Sequence, residues 1–260
     1  MDDEILYAVE DGIGTITLNR PQARNALTFA MYERLAAICS DPAAHGAPKV
    51  LIVTGAGDRA FAAGTDIAQF RAFATPEDAL AYEERIESVI TAIECCPIPT
   101  IAAICGAVTG GGASIACACD LRIATPTARF GYPIARTLGN CLSMANYARL
   151  SVLLGPARVK DIVFTARLIE AEEGQRIGLY SEIIADHAGL MARARALAET
   201  IAGHAPLTMR ATKEALRRLT VAAVPADGAD DLVVMCYGSA DFREGMEAFL
   251  GKRTPHWQGR

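Results

Sequence analysis

Two glycine-bearing stretches carry the residues best suited to chemistry. In the first, Gly106 is followed by three consecutive glycines, Gly110, Gly111 and Gly112, with Ser114 two places beyond. An apolar run over residues 99–104 precedes it and a small-residue segment over 115–119 follows. That order predicts a buried strand that delivers the chain to the glycines, which then open onto a helix. The first backbone N–H groups of such a helix lack intrahelical partners, and glycine lets a ligand approach the main chain. The positive helix end favours an anion there, either a phosphate or a transient oxyanion. The same composition also suits a strand-to-helix turn built only for close packing, and the run alone does not separate the two. In the second stretch, residues 61–67, Gly64 again stands at the doorway of a helix that Thr65 or Asp66 is placed to cap.

Several elements must position these residues. Residues 5–9 and 14–18 alternate around Asp11 and Gly12, which predicts a hairpin. A helix follows with Met31, Leu35, Ala36 and Ile38 on its apolar positions, and the run 50–53 reads as a strand buried on both faces. Residues 76–94 predict a longer helix with Leu80, Ile86, Val89, Ile90 and Ile93 on one face, feeding a strand over 97–104. Another strand is expected at 121–124. Repetition of strand, loop and helix implies parallel strands joined by crossovers, with ligand sites at their carboxyl ends. Beyond residue 133 the pattern turns helical: 143–154, 157–164, 170–177, 188–202 and 206–219, with a short strand at 182–184. The tail over 227–249 reads as an amphipathic helix interrupted at 241–245.

Composition narrows the function classes. The chain has 260 residues, 52% of them hydrophobic, and a net charge of −5, so it can bury a sizeable core. Its lysines and arginines are scattered, which argues against a nucleic-acid partner. No apolar stretch is long enough to span a bilayer and the acidic start does not resemble a secretory signal, so a cytoplasmic protein without a membrane partner is expected. Eight cysteines in mostly apolar settings read as reduced core residues. The four dispersed histidines point to no metal site and no histidine-dependent triad.

Taken in order, certain motifs resemble the enoyl-CoA hydratase/isomerase, or crotonase, family over nearly the whole chain. They are Asn19, Arg20 and Pro21 leading to Asn25, Ala26 and Leu27; residues 61–67; Gly106 to Gly112 with Cys119 and Asp120; residues 128–131; and residues 243–249 with Lys252, Arg253 and Pro255. The resemblance implies an α/β, crotonase-like (ClpP/crotonase) spiral of ββα units with a C-terminal helical region. It divides the chain into an acyl-CoA-binding core over 1–195 and a helical trimerisation or lid region over 196–260, assembled as a homotrimer or homohexamer. It implies an acyl-CoA substrate, with coenzyme A entering as part of the substrate and no tightly bound cofactor. The N–H groups of Thr65 and Gly111 fall where the family stabilises a thioester enolate. Ala23, Arg24, Ala63, Gly64, Thr65, Asp66, Ile67, Gly110 and Gly111 fall where it binds coenzyme A. Asp66 and Asp120 match positions that cap or anchor backbone.

The chain also departs from the family. Hydratases hold water with two glutamates; the first position is Ser114 here and the second is Ile134, followed by Ala135. Neither can act as a carboxylate, so ordinary two-glutamate hydration is not expected. Ser114, Arg136, Asn140, Cys141 and Ser143 remain near the inferred pocket as polar candidates, with packing or helix capping as their plainer roles. Glu83, Glu84 and Glu87 lie on a helix with two readings, a border of the acyl pocket and, more plainly, a solvated face. Two functions follow: a lyase or isomerase working through a thioester enolate, or a catalytically idle acyl-CoA-binding or scaffolding protein.

Overall fold

Asp11 and Gly12 take positive φ values of 50° and 76° and close the first hairpin, β1 (Ile5–Glu10) against β2 (Ile13–Leu18), in the register Ile5 to Leu18. The computed structural model describes residues 4–72, 75–222, 224 and 230–260. Parallel to β2 runs β3 (Val50–Gly55), wholly buried. Its alternate side chains serve two cores: Leu51 and Val53 face one, Val50 and Ile52 the other. That is the physical meaning of an uninterrupted apolar run in a strand.

After β3 the chain crosses to a second sheet as β4 (Ala60–Ala62), then returns through a long helix. Here α1 is Phe29–Ser40, and α2 is Pro76–Glu94, opened by a capping box between Thr75 and Asp78. The pattern repeats with β5 (Thr100–Ile104), β6 (Ala107–Thr109) and α3 (Gly111–Ala118). It repeats again with β7 (Leu121–Ala124), β8 (Arg129–Gly131) and the short α4 (Ile134–Thr137). Each turn therefore lays one strand in each sheet before a helix, the spiral of ββα units that the sequence implied. After α5 (Met144–Leu154) and α6 (Pro156–Phe164), β9 (Ile169–Glu170) completes the four-stranded sheet in the order β4-β6-β8-β9. Following α7 (Ala171–Arg176), β10 (Glu182–Ile183) completes the six-stranded sheet β1-β2-β3-β5-β7-β10.

The strand expected to lead straight into the glycines is two strands. The chain turns between β5 and β6 at Gly106, where φ is +69° and a Cβ would overlap the Arg59 carbonyl. Only glycine fits such a turn. So β6, in the smaller sheet, delivers the chain to Gly110.

Helices cover both faces of the large sheet. On one side α2 contributes Ile86, Val89, Ile90 and Ile93; on the other, α8 (His187–Ala202) packs Leu190, Ala194 and Ala198 against Ile52, Ile101 and Ile123. This helix runs unbroken through residues 195 and 196. Next, α9 (Pro206–Val221) buries none of its residues fully, although Lys213 reaches in to Asp120 and the Ile98 carbonyl. The Asp120 carboxylate also accepts from the Thr100 N–H and hydroxyl, an anchoring role for that residue.

The tail is two helices, α10 (Asp230–Tyr237) and α11 (Ala240–Leu250). The break falls at Gly238 and Ser239, where Ser239 caps α11, and not at 241–245 as the sequence suggested. Phe242, Gly245 and Ala248 form the buried face of α11, so the polar residues between them mark its solvent side. Residue 227, where the sequence reading began this helix, lies outside the described residues. All eight cysteines are free; Cys95 is exposed, whereas Cys39, Cys96, Cys105, Cys119 and Cys141 are buried. No helix among the described residues is long and apolar enough to cross a membrane.

Candidate active site

The carboxyl ends of β4 and β6 meet the loop over 23–27 at a cavity of about 530 Å³. Asn25 builds that loop. It is fully buried at φ +54°, and its Nδ2 donates to the Ala60 carbonyl at 2.7 Å and the Ala56 carbonyl at 3.1 Å. Its Oδ1 accepts from the Arg20 N–H. Main-chain bonds then lace the loop to the second glycine stretch: Ala63 N–H to Arg24 O, Leu27 N–H to Gly64 O and Asp66 N–H to Leu27 O. Arg20 ties Ala26 O to the Asp66 carboxylate, whose other oxygen accepts from the Ala68 N–H at the start of a 3-10 turn, Ile67–Ala72. The helix expected after Gly64 is therefore this 3-10 turn, with Asp66 as its anchor.

All the residues expected to bind coenzyme A line the cavity: Ala23, Arg24, Ala63, Gly64, Thr65, Asp66, Ile67, Gly110 and Gly111. Ser114, Asn140 and Cys141 join them, while Arg136 and Ser143 do not. Ser143 instead caps α5 and donates to Glu87 at 2.8 Å.

Thr65 and Gly111 lie side by side. A Cβ added to Gly111 would overlap the Tyr32 hydroxyl and come within 3.3 Å of the Thr65 Oγ1. That oxygen is hydrogen-bonded to the Tyr32 hydroxyl at 2.9 Å and the Tyr82 hydroxyl at 3.1 Å. Gly110 N–H is taken by the Gly131 carbonyl, whereas the N–H groups of Thr65 and Gly111 find no acceptor among the described residues. Burial pushes the Tyr32 and Tyr82 hydroxyls far above the ordinary tyrosine range, so both stay protonated. The sequence reading missed these tyrosines. Their signal was a hydroxyl-bearing aromatic on the apolar face of each helix, which must find a partner when buried.

Ser114 and Ile134, where the resemblance implies the hydratase glutamates, are not acids. Ser114 is buried, with its hydroxyl against the Gly110 carbonyl and the Tyr132 hydroxyl at 3.1 Å. Ile134 lines the cavity with an apolar side chain. Burial raises the Cys141 thiol well above its ordinary range and its Sγ donates to the Leu232 carbonyl, so it is no ready thiolate nucleophile.

A carboxylate enters from elsewhere. The three glutamates of α2 do not form one solvated face: Glu84 is exposed, but Glu87 binds the buried Arg149 at 2.6 Å, and Glu83 lines the cavity. Tyr237 of α10 donates to Glu83 Oε1, and Asn140 Nδ2 donates to the same tyrosine oxygen at 3.1 Å. Burial pushes the Glu83 carboxyl up to about 7, against the opposing effect of the Tyr237 bond and with added repulsion from Glu87. Asn140 Oδ1 is buried without a hydrogen-bond partner among the described residues. The cavity thus combines unpaired N–H donors, an acid titrating near neutrality and an apolar wall that includes Phe70, Ile86 and Leu142.

A sequence model described as Enoyl-CoA hydratase/isomerase matches residues 8–260. The chain belongs to the enoyl-CoA hydratase/isomerase family. Within that family it is 31% identical to a short-chain-enoyl-CoA hydratase of Clostridium acetobutylicum, over 96% of each chain. Among solved structures, an enoyl-CoA hydratase/carnithine racemase from Magnetospirillum magneticum shares 33% identity with a TM-score of 0.78, covering 100% of this chain and 97% of that one. A methylmalonyl-CoA decarboxylase in complex with 2-nitronate-propionyl-CoA shares 26% identity with a TM-score of 0.88, covering 99% of each chain. Enoyl-CoA hydratase/isomerase family membership therefore rests on the whole chain, and the relatives differ in the reactions they are named for.

Proposed function

We propose that this chain binds an acyl-CoA thioester and stabilises its enolate at the N–H groups of Thr65 and Gly111. The observation that carries this reading is the adjacency of the two groups in one cavity, neither with an acceptor among the described residues. A thioester oxygen that gains negative charge is stabilised there by donors already in place, each worth about 2.7–4 kcal/mol in a site that excludes water. Arg24, exposed and lining the same cavity, is a cation for a coenzyme A phosphate. The relatives named for different acyl-CoA reactions support the acyl-CoA part of this reading.

Standard hydration through two glutamates does not fit the site. Water activation would need one carboxylate to take a proton and another to supply one, and Ser114 and Ile134 stand in those places. The reaction is instead one that passes through the enolate without that pair.

Incubation with a panel of saturated and unsaturated acyl-CoAs in D₂O tests the proposal, with mass spectrometry reporting exchange of protons next to the thioester carbonyl. Exchange supports the enolate reading. Binding without exchange or turnover across the panel makes the chain an idle acyl-CoA-binding protein, and absence of binding overturns both.

For assembly, the exposed Leu207, Leu216 and Leu219 of α9 support subunit contact in a homotrimer or homohexamer. A monomer in light scattering refutes it.

A further inference from the structure

We propose that Glu83 is the proton-transfer residue of this site, taking the proton from the carbon next to the thioester carbonyl and returning it. The inference rests on the enolate reading above and adds a catalytic group that the usual positions lack.

The geometry supports it in three ways. First, Glu83 lines the same cavity as Thr65 and Gly111, and so does Tyr82, whose hydroxyl is bonded to the side chain of Thr65. Second, Tyr237 engages Oε1, while Oε2 receives no hydrogen bond from the described residues and is available to a substrate C–H. Third, the cavity's other carboxylate, Asp66, is bound to Arg20 and to the Ala68 N–H, which leaves Glu83 as the cavity carboxylate without an ion pair among the described residues.

The groups that face Glu83 set its proton affinity. On α2 these are Tyr82 and Glu87, the latter held by Arg149 from α5; Tyr32 of α1, Tyr147 of α5, Cys141 and Tyr237 act on it from the other elements. Burial keeps the acid protonated part of the time near neutral pH, so both forms needed for removal and return of a proton are populated.

In the step itself, the carbon–hydrogen bond breaks and an O–H bond forms on Glu83. The freed electron pair becomes the enolate carbon–carbon double bond, and the carbonyl π pair moves onto the thioester oxygen. Return of the same proton to the same carbon restores the substrate. Return to the carbon two places further along moves a double bond when the acyl chain carries one. Neither outcome consumes water or needs a second acid. Tyr237 is a positioning residue in this scheme, and its hydrogen bond favours the ionised carboxyl.

The test compares wild type with Glu83→Gln, Glu83→Asp and Tyr237→Phe for deuterium exchange into butyryl-CoA and 3-hexenoyl-CoA, alongside the Kd for each ligand. Expected for Glu83→Gln is a fall in exchange of about 100-fold or more with Kd within about threefold. Glu83→Asp, which keeps a carboxyl, recovers part of the rate. Wild-type exchange should rise with pH through about 7, and Tyr237→Phe should move that rise to higher pH. Exchange in Glu83→Gln within threefold of wild type overturns the assignment to Glu83 while leaving the enolate reading intact. No exchange in wild type overturns both.

Discussion

Replacing Glu83 with glutamine makes stability depend on pH in a way that follows directly from where the carboxyl sits. Burial raises its pKa from 4.5 to about 7. Between those values the folded protein holds a proton that the unfolded chain has released, so wild-type stability falls as pH rises through this window. At about 1.4 kcal/mol per pH unit the displacement corresponds to about 3 kcal/mol, and to about 2 kcal/mol once solvent reaching the cavity screens the charge. Glutamine resembles the protonated form, and its amide oxygen can still accept from Tyr237. The variant should therefore match wild type near pH 4.5 and exceed it by about 2 kcal/mol near pH 8. Urea unfolding of both proteins, at one protein concentration and in half-unit steps of pH, measures this difference while shared titrations cancel. A difference that does not change with pH would refute the reasoning, since it would mean that Glu83 ionises as freely in the folded protein as in the unfolded one.

Other perturbations follow from the same geometry. Gly111→Ala places a methyl against the Tyr32 hydroxyl and should abolish deuterium exchange, with partial recovery in Gly111→Ala/Tyr32→Phe; full activity in the single variant would count against the site. Asn25→Ala leaves the Ala60 carbonyl and the Arg20 N–H without their partner and should cost about 2–4 kcal/mol in urea unfolding, together with weaker acyl-CoA binding. Arg149→Met strands Glu87 and Glu94 and should lower stability in urea unfolding at pH 7 by about 3 kcal/mol or more. A loss below about 1 kcal/mol would refute the pairing as a stabilising feature.

The glycine doorways were legible because main-chain donors depend on backbone type and not on a partner far away. Likewise, the unbroken run in β3 announced burial on both faces. The strands β4, β6 and β8 were not legible: each is three residues long, too short to show an alternating period. Glu83 stands between two readings, pocket border and solvated face, for another reason. Its neighbours Glu84 and Glu87 make it look like one member of a charged face, and the tyrosine that holds it lies 154 positions away. No local pattern reports that α10 will close over α2. The interruption of the tail was misplaced because the charges at 241, 243 and 244 resemble a loop, when they are the outer side of α11.

The knot around Asn25 has an evolutionary consequence. Its bonds, and those from the 23–27 loop to residues 63–66, tie the main chain around Thr65 and the loop's backbone into one hydrogen-bonded unit, in which an insertion would break several bonds at once. Arg24 is exposed, lines the cavity and carries no ion pair among the described residues. On the acyl-CoA reading proposed above, selection can retune the grip on the distant end of the ligand through this one side chain without disturbing the backbone at the reacting end.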